Sequence, residues 1–227
     1  MKNDSLRRAL EARDPIRDED FDTVYPFAYQ LLSATYWTPV ETARRATDLL
    51  VSEGARRILD VGAGVGKFCL VGAASTTEAQ FFGIEHRAHL VRAACDAQQK
   101  LGLARVELMH GRIEDVRSED FDGFYLFNPF AENLMGRGDR LDGSVPLSRT
   151  RFDADVQRAA TMLGTAAPGT PVVTYFGYGG EMPRDYDLVH VESPNWGALK
   201  LWIKNDNGTA GHSTSRGWRT SSQEGTS

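Results

Sequence analysis

Asp60-Val61-Gly62-Ala63-Gly64-Val65-Gly66 can hold the polar end of a small ligand with little side-chain chemistry of its own. Glycine has no Cβ, so a turn built from it brings backbone N–H groups close to a ligand, and a helix starting just beyond adds its own unpaired amides. The apolar run Ile58-Leu59-Asp60-Val61 delivers the turn, and a helical pattern begins at Lys67. Asp60 can brace the amides of the turn or meet a ligand ammonium through water. Lys67 is a cation at a helix N-terminus, where the dipole disfavours it. It reaches a ligand carboxylate, or Glu85, or simply faces solvent. Glu85 follows Phe81-Phe82-Gly83-Ile84 and stands 23 residues after Gly62. Its carboxylate can accept hydrogen bonds from two neighbouring hydroxyls, or cap the helix expected to begin near Arg87.

A second chemical stretch is Asn128-Pro129-Phe130-Ala131-Glu132, directly after the apolar run ending Leu126-Phe127. The Asn128 side chain and the Pro129 carbonyl can accept hydrogen bonds from an amine, and Phe130 offers a flat ring. Glu132 is placed to take a proton from a charged amine. A Pro turn with Phe130 packed as core is the plainer alternative. Tyr25 or Tyr36 can fold over from the aromatic segment Phe21–Trp37. The five histidines, His86, His89, His110, His190 and His212, are scattered without metal or triad spacing, so each reads as an ordinary surface or strand-end residue.

These groups need a scaffold that collects them at one edge. The apolar runs predict strands at about 57–61, 80–84, 105–110 and 122–128, near-continuous enough for a sheet covered on both faces. Helices are expected at about 66–74, 87–101 and 150–163. Pro171–Phe176 makes a fifth strand, and Tyr186–Glu192 with Leu199–Lys204 make two more, antiparallel because their link is short. Ahead of the sheet, Thr38-Pro39-Val40-Glu41 predicts a helix start, with Thr38 as N-cap and Glu41 closing a capping box, and Gly54 ends that helix. Residues 1–20 read as a charged extension and the Ser-, Thr- and Gly-rich tail from Asn205 as disordered. The long connection 133–150 overhangs the strand ends and is expected to select the substrate. Gly177–Pro183 opens on the same edge and offers Tyr178 or Glu181.

The acid-x-Gly-x-Gly-x-Gly turn resembles that of class I S-adenosylmethionine-dependent methyltransferases. Dinucleotide-binding turns instead space their glycines G-x-G-x-x-G. The resemblance spans about residues 21–204. It implies an α/β Rossmann-like three-layer sandwich with a mostly parallel seven-stranded sheet and an antiparallel C-terminal strand pair. It implies S-adenosyl-L-methionine as cofactor, with Asp60, Gly62, Ala63, Gly64 and Gly66 at its amino-acid end and Glu85 on the ribose diol. The adenine would lie at His110-Gly111-Arg112-Ile113-Glu114-Asp115. The commonest form of this segment puts Asp straight after the Gly, where this chain has Arg112. The segment instead resembles protein arginine methyltransferases, whose acid stands two residues later. By that likeness the Ile113 amide and the Glu114 carboxylate, with Asp115 as the alternative, would hold the ring. Asn128-Pro129-Phe130 resembles the (N/D/S)-P-P-(Y/F) motif of amino-group methyltransferases, with one Pro missing, and Thr38-Pro39 is similar to the T-P step of those enzymes. N-P-F-A equally resembles the N-N-F-A segment of non-SET histone-lysine methyltransferases. Both relatives methylate nitrogen, so the likeness implies transfer to a nitrogen nucleophile, with Asn128, Pro129, Phe130 and Glu132 as the catalytic group.

The chain has 227 residues, which suits one sizeable domain. A net charge of −5 argues against a broad basic surface for sequence-independent nucleic-acid binding. No apolar run matches a membrane span, and the opening Met1–Ser5 lacks the apolar core of a signal peptide. Cys69 and Cys95 form neither a metal nor a disulfide pattern, which fits a reducing cytoplasm. A protein side chain, a nucleic-acid base or a small metabolite remains open as acceptor, and the oligomeric state is not legible. A non-catalytic S-adenosylmethionine-binding regulator is the main rival, with a nicotinamide-dependent oxidoreductase behind it.

Overall fold

In the computed structural model, which describes residues 3–193 and 197–206, five helices precede a sheet whose first strand begins at residue 57. The order is helices α1 (Asn3–Glu11), α2 (Asp18–Asp22), α3 (Phe27–Gln30), α4 (Ser33–Tyr36) and α5 (Val40–Ser52), then β1 (Arg57–Val61), α6 (Lys67–Ser75), β2 (Gln80–Glu85), α7 (Ala88–Leu101), β3 (Val106–His110), β4 (Gly123–Phe127), α8 (Arg149–Thr165), β5 (Pro171–Tyr175), β6 (Tyr186–Glu192) and β7 (Leu199–Lys204). One seven-stranded sheet runs β3-β2-β1-β4-β5-β7-β6. Its first five strands are parallel, and β7 lies antiparallel between β5 and β6. The expected Rossmann-like three-layer architecture is present.

The doubled apolar residues in each strand explain the layers. Because side chains alternate across a sheet, Ile58, Phe81, Tyr125 and Val173 enter one core beneath α1, α5, α6 and α7. Their neighbours Leu59, Phe82, Phe124 and Val172 enter the other beneath α8. Strand order reverses between β1 and β4, which leave the sheet centre on opposite sides. Such a switch point opens a crevice at the carboxyl ends of the strands. Both chemical stretches lie there.

The charged extension contributes to the first core through α1, whose Leu6 and Leu10 are buried in it. The tail beyond 206 lies outside the described residues. The start of α5 departs from its expected cap. Thr38 does not cap the helix; its hydroxyl pairs with the Tyr125 hydroxyl at 3.1 Å. The first amide of α5, that of Val40, instead donates to Asp18 Oδ1 at 2.9 Å. The cap comes from tertiary contact, which overrides the local Thr38–Glu41 pattern, and Glu41 is exposed.

Candidate active site

The glycine turn follows β1 with Gly62, Gly64 and Gly66 all at positive φ (75°, 56° and 72°). Two of these positions also lack room for a side chain. A Cβ on Gly62 would stand 2.8 Å from Pro129 Cβ, and one on Gly64 would stand 2.7 Å from the Trp37 ring. The turn offers close approach rather than free donors, however. The amides of Gly62 and Ala63 donate to the Ile84 carbonyl at 2.9 and 3.0 Å, and that of Gly66 to Ala63. The Gly64 amide donates to Glu85 Oε2 at 3.0 Å, while the Arg87 amide donates to Oε1 at 2.8 Å. Glu85 thus closes β2 directly beside the turn, buried, with its carboxyl raised above the ordinary 4.5 by desolvation. Asp60 is buried behind the turn, its carboxyl raised well above the ordinary range by burial and then by the nearby Glu85 charge. The buried Cys69 thiol donates to Asp60 Oδ2 at 3.9 Å. Cys95, the other cysteine, is exposed and free.

A cavity of about 160 Å³ opens between the turn and these strand ends. Gly62, Gly64 and Glu85 form one wall, Tyr36 and Trp37 close it above, and Gly111, Arg112 and Ile113 line its far end. A smaller cavity of about 30 Å³ continues behind Gly62, between Trp37, Asp60, Phe68 and Phe127.

The segment that closes the cavity is anchored by Lys67, which neither faces solvent nor reaches Glu85. It is buried, with Nζ 2.7 Å from both Asp18 Oδ1 and Asp22 Oδ1 and donating to Ser33 Oγ at 3.1 Å. The dipole penalty at the start of α6 is offset by two carboxylates from the N-terminal segment. Burial raises the Asp22 carboxyl even though Lys67 opposes the shift. Trp37 follows, its indole Nε1 donating to the Tyr29 carbonyl at 2.9 Å and its ring on Gly64. Tyr36 donates to the Asp139 carbonyl at 2.6 Å, which joins this segment to the 133–150 connection. Tyr25 points away, buried against Phe21.

On the opposite rim the 133–150 connection does overhang the cavity, through Met135, Leu141 and Leu147. Arg87 fastens it. The guanidinium is only 4% exposed and donates from Nη2 to Glu132 Oε1 at 2.8 Å and from Nε to Asp142 Oδ1 at 3.2 Å. Glu132 Oε1 also accepts from the Leu141 amide. Glu132 therefore lines the cavity as an ion-pair partner of Arg87 rather than as a free base, because the sequence-distant Arg87 reaches it first. His86 lines the same wall, and burial followed by the Arg87 charge lowers it to about 4. Among the described residues no group of three or more His, Cys, Asp or Glu is placed to hold a metal, and His212 lies outside them.

The Asn128-Pro129-Phe130 turn meets the glycine turn directly. Asn128 sits at φ 40°, a left-handed conformation that Asn tolerates better than most residues. Its amide donates to the Gly177 carbonyl at 2.9 Å, and its carbonyl accepts from Ala131. Asn128 and Pro129 line the cavity. Phe130 is buried, packed in the second core with Ile113, and like Ile113 it also lines the cavity. Tyr178 does not face the site: it is buried in that core, its hydroxyl donating to the Glu181 carbonyl, and Glu181 is exposed.

At the far end, Ile113 is buried and lines the cavity. Glu114 is turned outward, 3.2 Å from Arg158 and 3.8 Å from Arg112. Asp115 accepts from the Arg112 amide. The carboxylate lining the cavity beside Ile113 is Asp155 of α8, 5% exposed and bonded to Arg151 and Arg158. Sequence reasoning missed Trp37, Arg87 and Asp155. Only Trp37 carried a signal, its place in the aromatic segment.

A family model described as a methyltransferase domain matches residues 52–134, from the end of α5 through the Asn128 turn. No curated protein matches the sequence. Among solved structures the fold is similar to an RNA methyltransferase from Salinibacter ruber in complex with S-adenosyl-L-homocysteine, at TM-score 0.55 and 19% identity over 75% of this chain and 94% of that one. It is also similar to a putative O-methyltransferase from Klebsiella pneumoniae, at TM-score 0.56 and 15% identity over 89% and 96%. TrmN from Thermus thermophilus gives 0.55 and 14% over 74% of this chain and 49% of that one. At such identities the likeness concerns the fold.

Proposed function

We propose that this chain, which carries a class I S-adenosylmethionine-dependent methyltransferase domain, transfers the methyl group to a nitrogen nucleophile at the carboxyl ends of β4 and β5. The observation that carries this reading is the seating of the Asn128-Pro129 turn on Gly62, where a Cβ would fill the gap to Pro129. The amine-binding atoms and the cofactor turn share one cavity wall. Bound there, S-adenosylmethionine supplies an electrophilic methyl on a sulfonium.

The residues fit that cofactor. The glycine turn leaves a cradle that any side chain would fill, and Glu85 presents a buried carboxylate with lone pairs beyond those used by Gly64 and Arg87. Asp60 and the small cavity would take the amino-acid end, Glu85 the ribose, and Ile113 the adenine. The Asn128 side-chain oxygen and the Pro129 carbonyl would accept hydrogen bonds from the nucleophile, aiming its lone pair. Methyl transfer is an in-line displacement, so alignment in a water-poor cavity supplies much of the rate. Asn128 accepts from an N–H without needing to ionise, which suits a neutral amine or amide.

Incubation with methyl-labelled donor and fractionated cell extract, followed by mass spectrometry of the labelled product, tests the reading. N-methyl product that falls at least about tenfold in Asn128→Ala, with S-adenosylhomocysteine affinity kept, is the expected outcome. O- or C-methyl product, or an unaffected Asn128→Ala, overturns it.

A further inference from the structure

A run of contacts closes into a circuit that starts and ends on the glycine turn. The Gly64 amide donates to Glu85 Oε2, and Glu85 Oε1 accepts from the Arg87 amide. The Arg87 guanidinium carries the circuit across to the 133–150 connection, where Nε donates to Asp142 Oδ1 at 3.2 Å. The other Asp142 oxygen lies 3.0 Å from His89 Nε2 in α7. The His89 ring stacks on Tyr29 at 22°, centroids 6.2 Å apart. The Tyr29 carbonyl accepts from the Trp37 indole, and the Trp37 ring returns to Gly64.

The circuit borders the cavity. Trp37, Glu85 and Arg87 line it, and so does Leu141, the residue before Asp142. Leu141 is pinned there, its amide donating at 2.8 Å to Glu132 Oε1, the oxygen that Arg87 Nη2 also engages. A second tie, from Tyr36 to the Asp139 carbonyl, joins the same two rims. All these ties land on the end of β2, the start of α7 or the Trp37 segment, the side of the crevice where Glu85 stands. The Asn128 turn is fastened separately, through the Gly177 carbonyl after β5. Arg87 is 4% exposed at its side chain, whereas His89 and Asp142 are 29% and 28% exposed. The circuit is therefore weakest at the His89–Asp142 link, where water competes for the contact.

We infer that Arg87 is a positioning residue that couples Glu85 to a strap over the cofactor, so that cofactor enters and leaves when the His89–Asp142 link opens. This rests on the methyltransferase reading above; the 133–150 connection then retains cofactor instead of selecting the acceptor. The Arg87 amide holds Glu85 while its side chain holds the strap, so the two move together. A ligand reaching from Gly64 to Ile113 lies beneath the strap, whereas the nucleophile meets the Asn128 turn at the ends of β4 and β5. Opening of such a lid commonly limits product release.

Stopped-flow tryptophan fluorescence with S-adenosylhomocysteine reads association and release separately. Asp142→Asn and His89→Ala each change a side chain that does not line the cavity, so neither removes a cofactor contact. Each should speed association and release together by about tenfold, the scale of one lost charge-assisted hydrogen bond, leaving Kd within about threefold. The double variant should exchange within about twofold of the faster single one, since both changes open the same circuit. Asp153→Asn, whose exposed pair with Arg149 lies outside the circuit, should leave both rates within about twofold of wild type. Faster release with unchanged association, which mere loosening of the bound state would give, overturns the inference. Unchanged rates in both single variants, or additive effects in the double variant, overturn it equally. Failure of wild type to bind S-adenosylhomocysteine would overturn the cofactor reading itself, a distinct result.

Discussion

Replacing Lys67 by Met removes one charge while keeping most of the side chain's apolar length. Lys67 is 1% exposed at its side chain and Asp22 3%, so their 2.7 Å contact is shielded from water. Asp18, the second partner, is 40% exposed, so solvent screens its share. Removing one member of a buried pair costs about 3–5 kcal/mol because the other charge is stranded. Partial exposure of Asp18 points to the lower end, about 3 kcal/mol. In a chain of this size each kcal/mol lowers Tm by roughly 2–4 °C, so a fall of roughly 6–12 °C is expected in a circular dichroism melt. Lys67→Met/Asp22→Asn should recover part of the loss, since the double variant strands no buried charge. The pH dependence has a definite sign. A carboxyl raised in the folded state favours folding when protonated, so its contribution is present below the ordinary 3.8 and is lost as pH rises through the raised value. The Lys67→Met defect should therefore shrink on acidification. A variant melting within about 2 °C of wild type would refute the dry ion pair, since that is the scale of an exposed one.

Other consequences are open to direct measurement. Gly64→Ala sets a Cβ 2.7 Å from Trp37, so it should lose S-adenosylhomocysteine binding, and adding Trp37→Ala should restore part of it, read by calorimetry. Asp155→Asn should weaken that binding by about tenfold while Glu114→Gln leaves it within about twofold, because only Asp155 lines the cavity. Glu85, raised by burial, should give opposite trends as pH falls towards and below the ordinary 4.5. Apo stability gains from its protonation, a contribution lost again as pH rises through the folded value, whereas cofactor affinity declines as the accepting carboxylate disappears. A titration series across pH 4–7 paired with melts reads both; parallel trends would exclude Glu85 as the linked group.

The sheet was legible because each strand is a short apolar run bounded by turns, and burial on both faces requires that pattern. The glycine turn, Glu85 and the Asn128 turn were legible for the same reason: their chemistry is local, and parallel strands bring their carboxyl ends to one edge. What escaped depends on long-range contact. Thr38 carried a local capping signal, yet Asp18, 22 residues before Val40, supplied the cap. Lys67 looked misplaced at a helix start because its anions come from a segment 45 and 49 residues earlier. Glu132 read as a free base until Arg87, across the crevice, engaged it. Glu114 and Asp155 differ only in which way a short turn and a helix face the cavity, and no spacing in the sequence encodes that.

The cofactor site is tested most directly by calorimetric titration of the full chain with S-adenosylhomocysteine, wild type beside Glu85→Ala. Saturable one-to-one binding in the micromolar range, abolished or weakened at least about tenfold in the variant, is the expected result. Absence of binding to a folded wild-type protein, or equal affinity in Glu85→Ala, would contradict the assignment of this cavity.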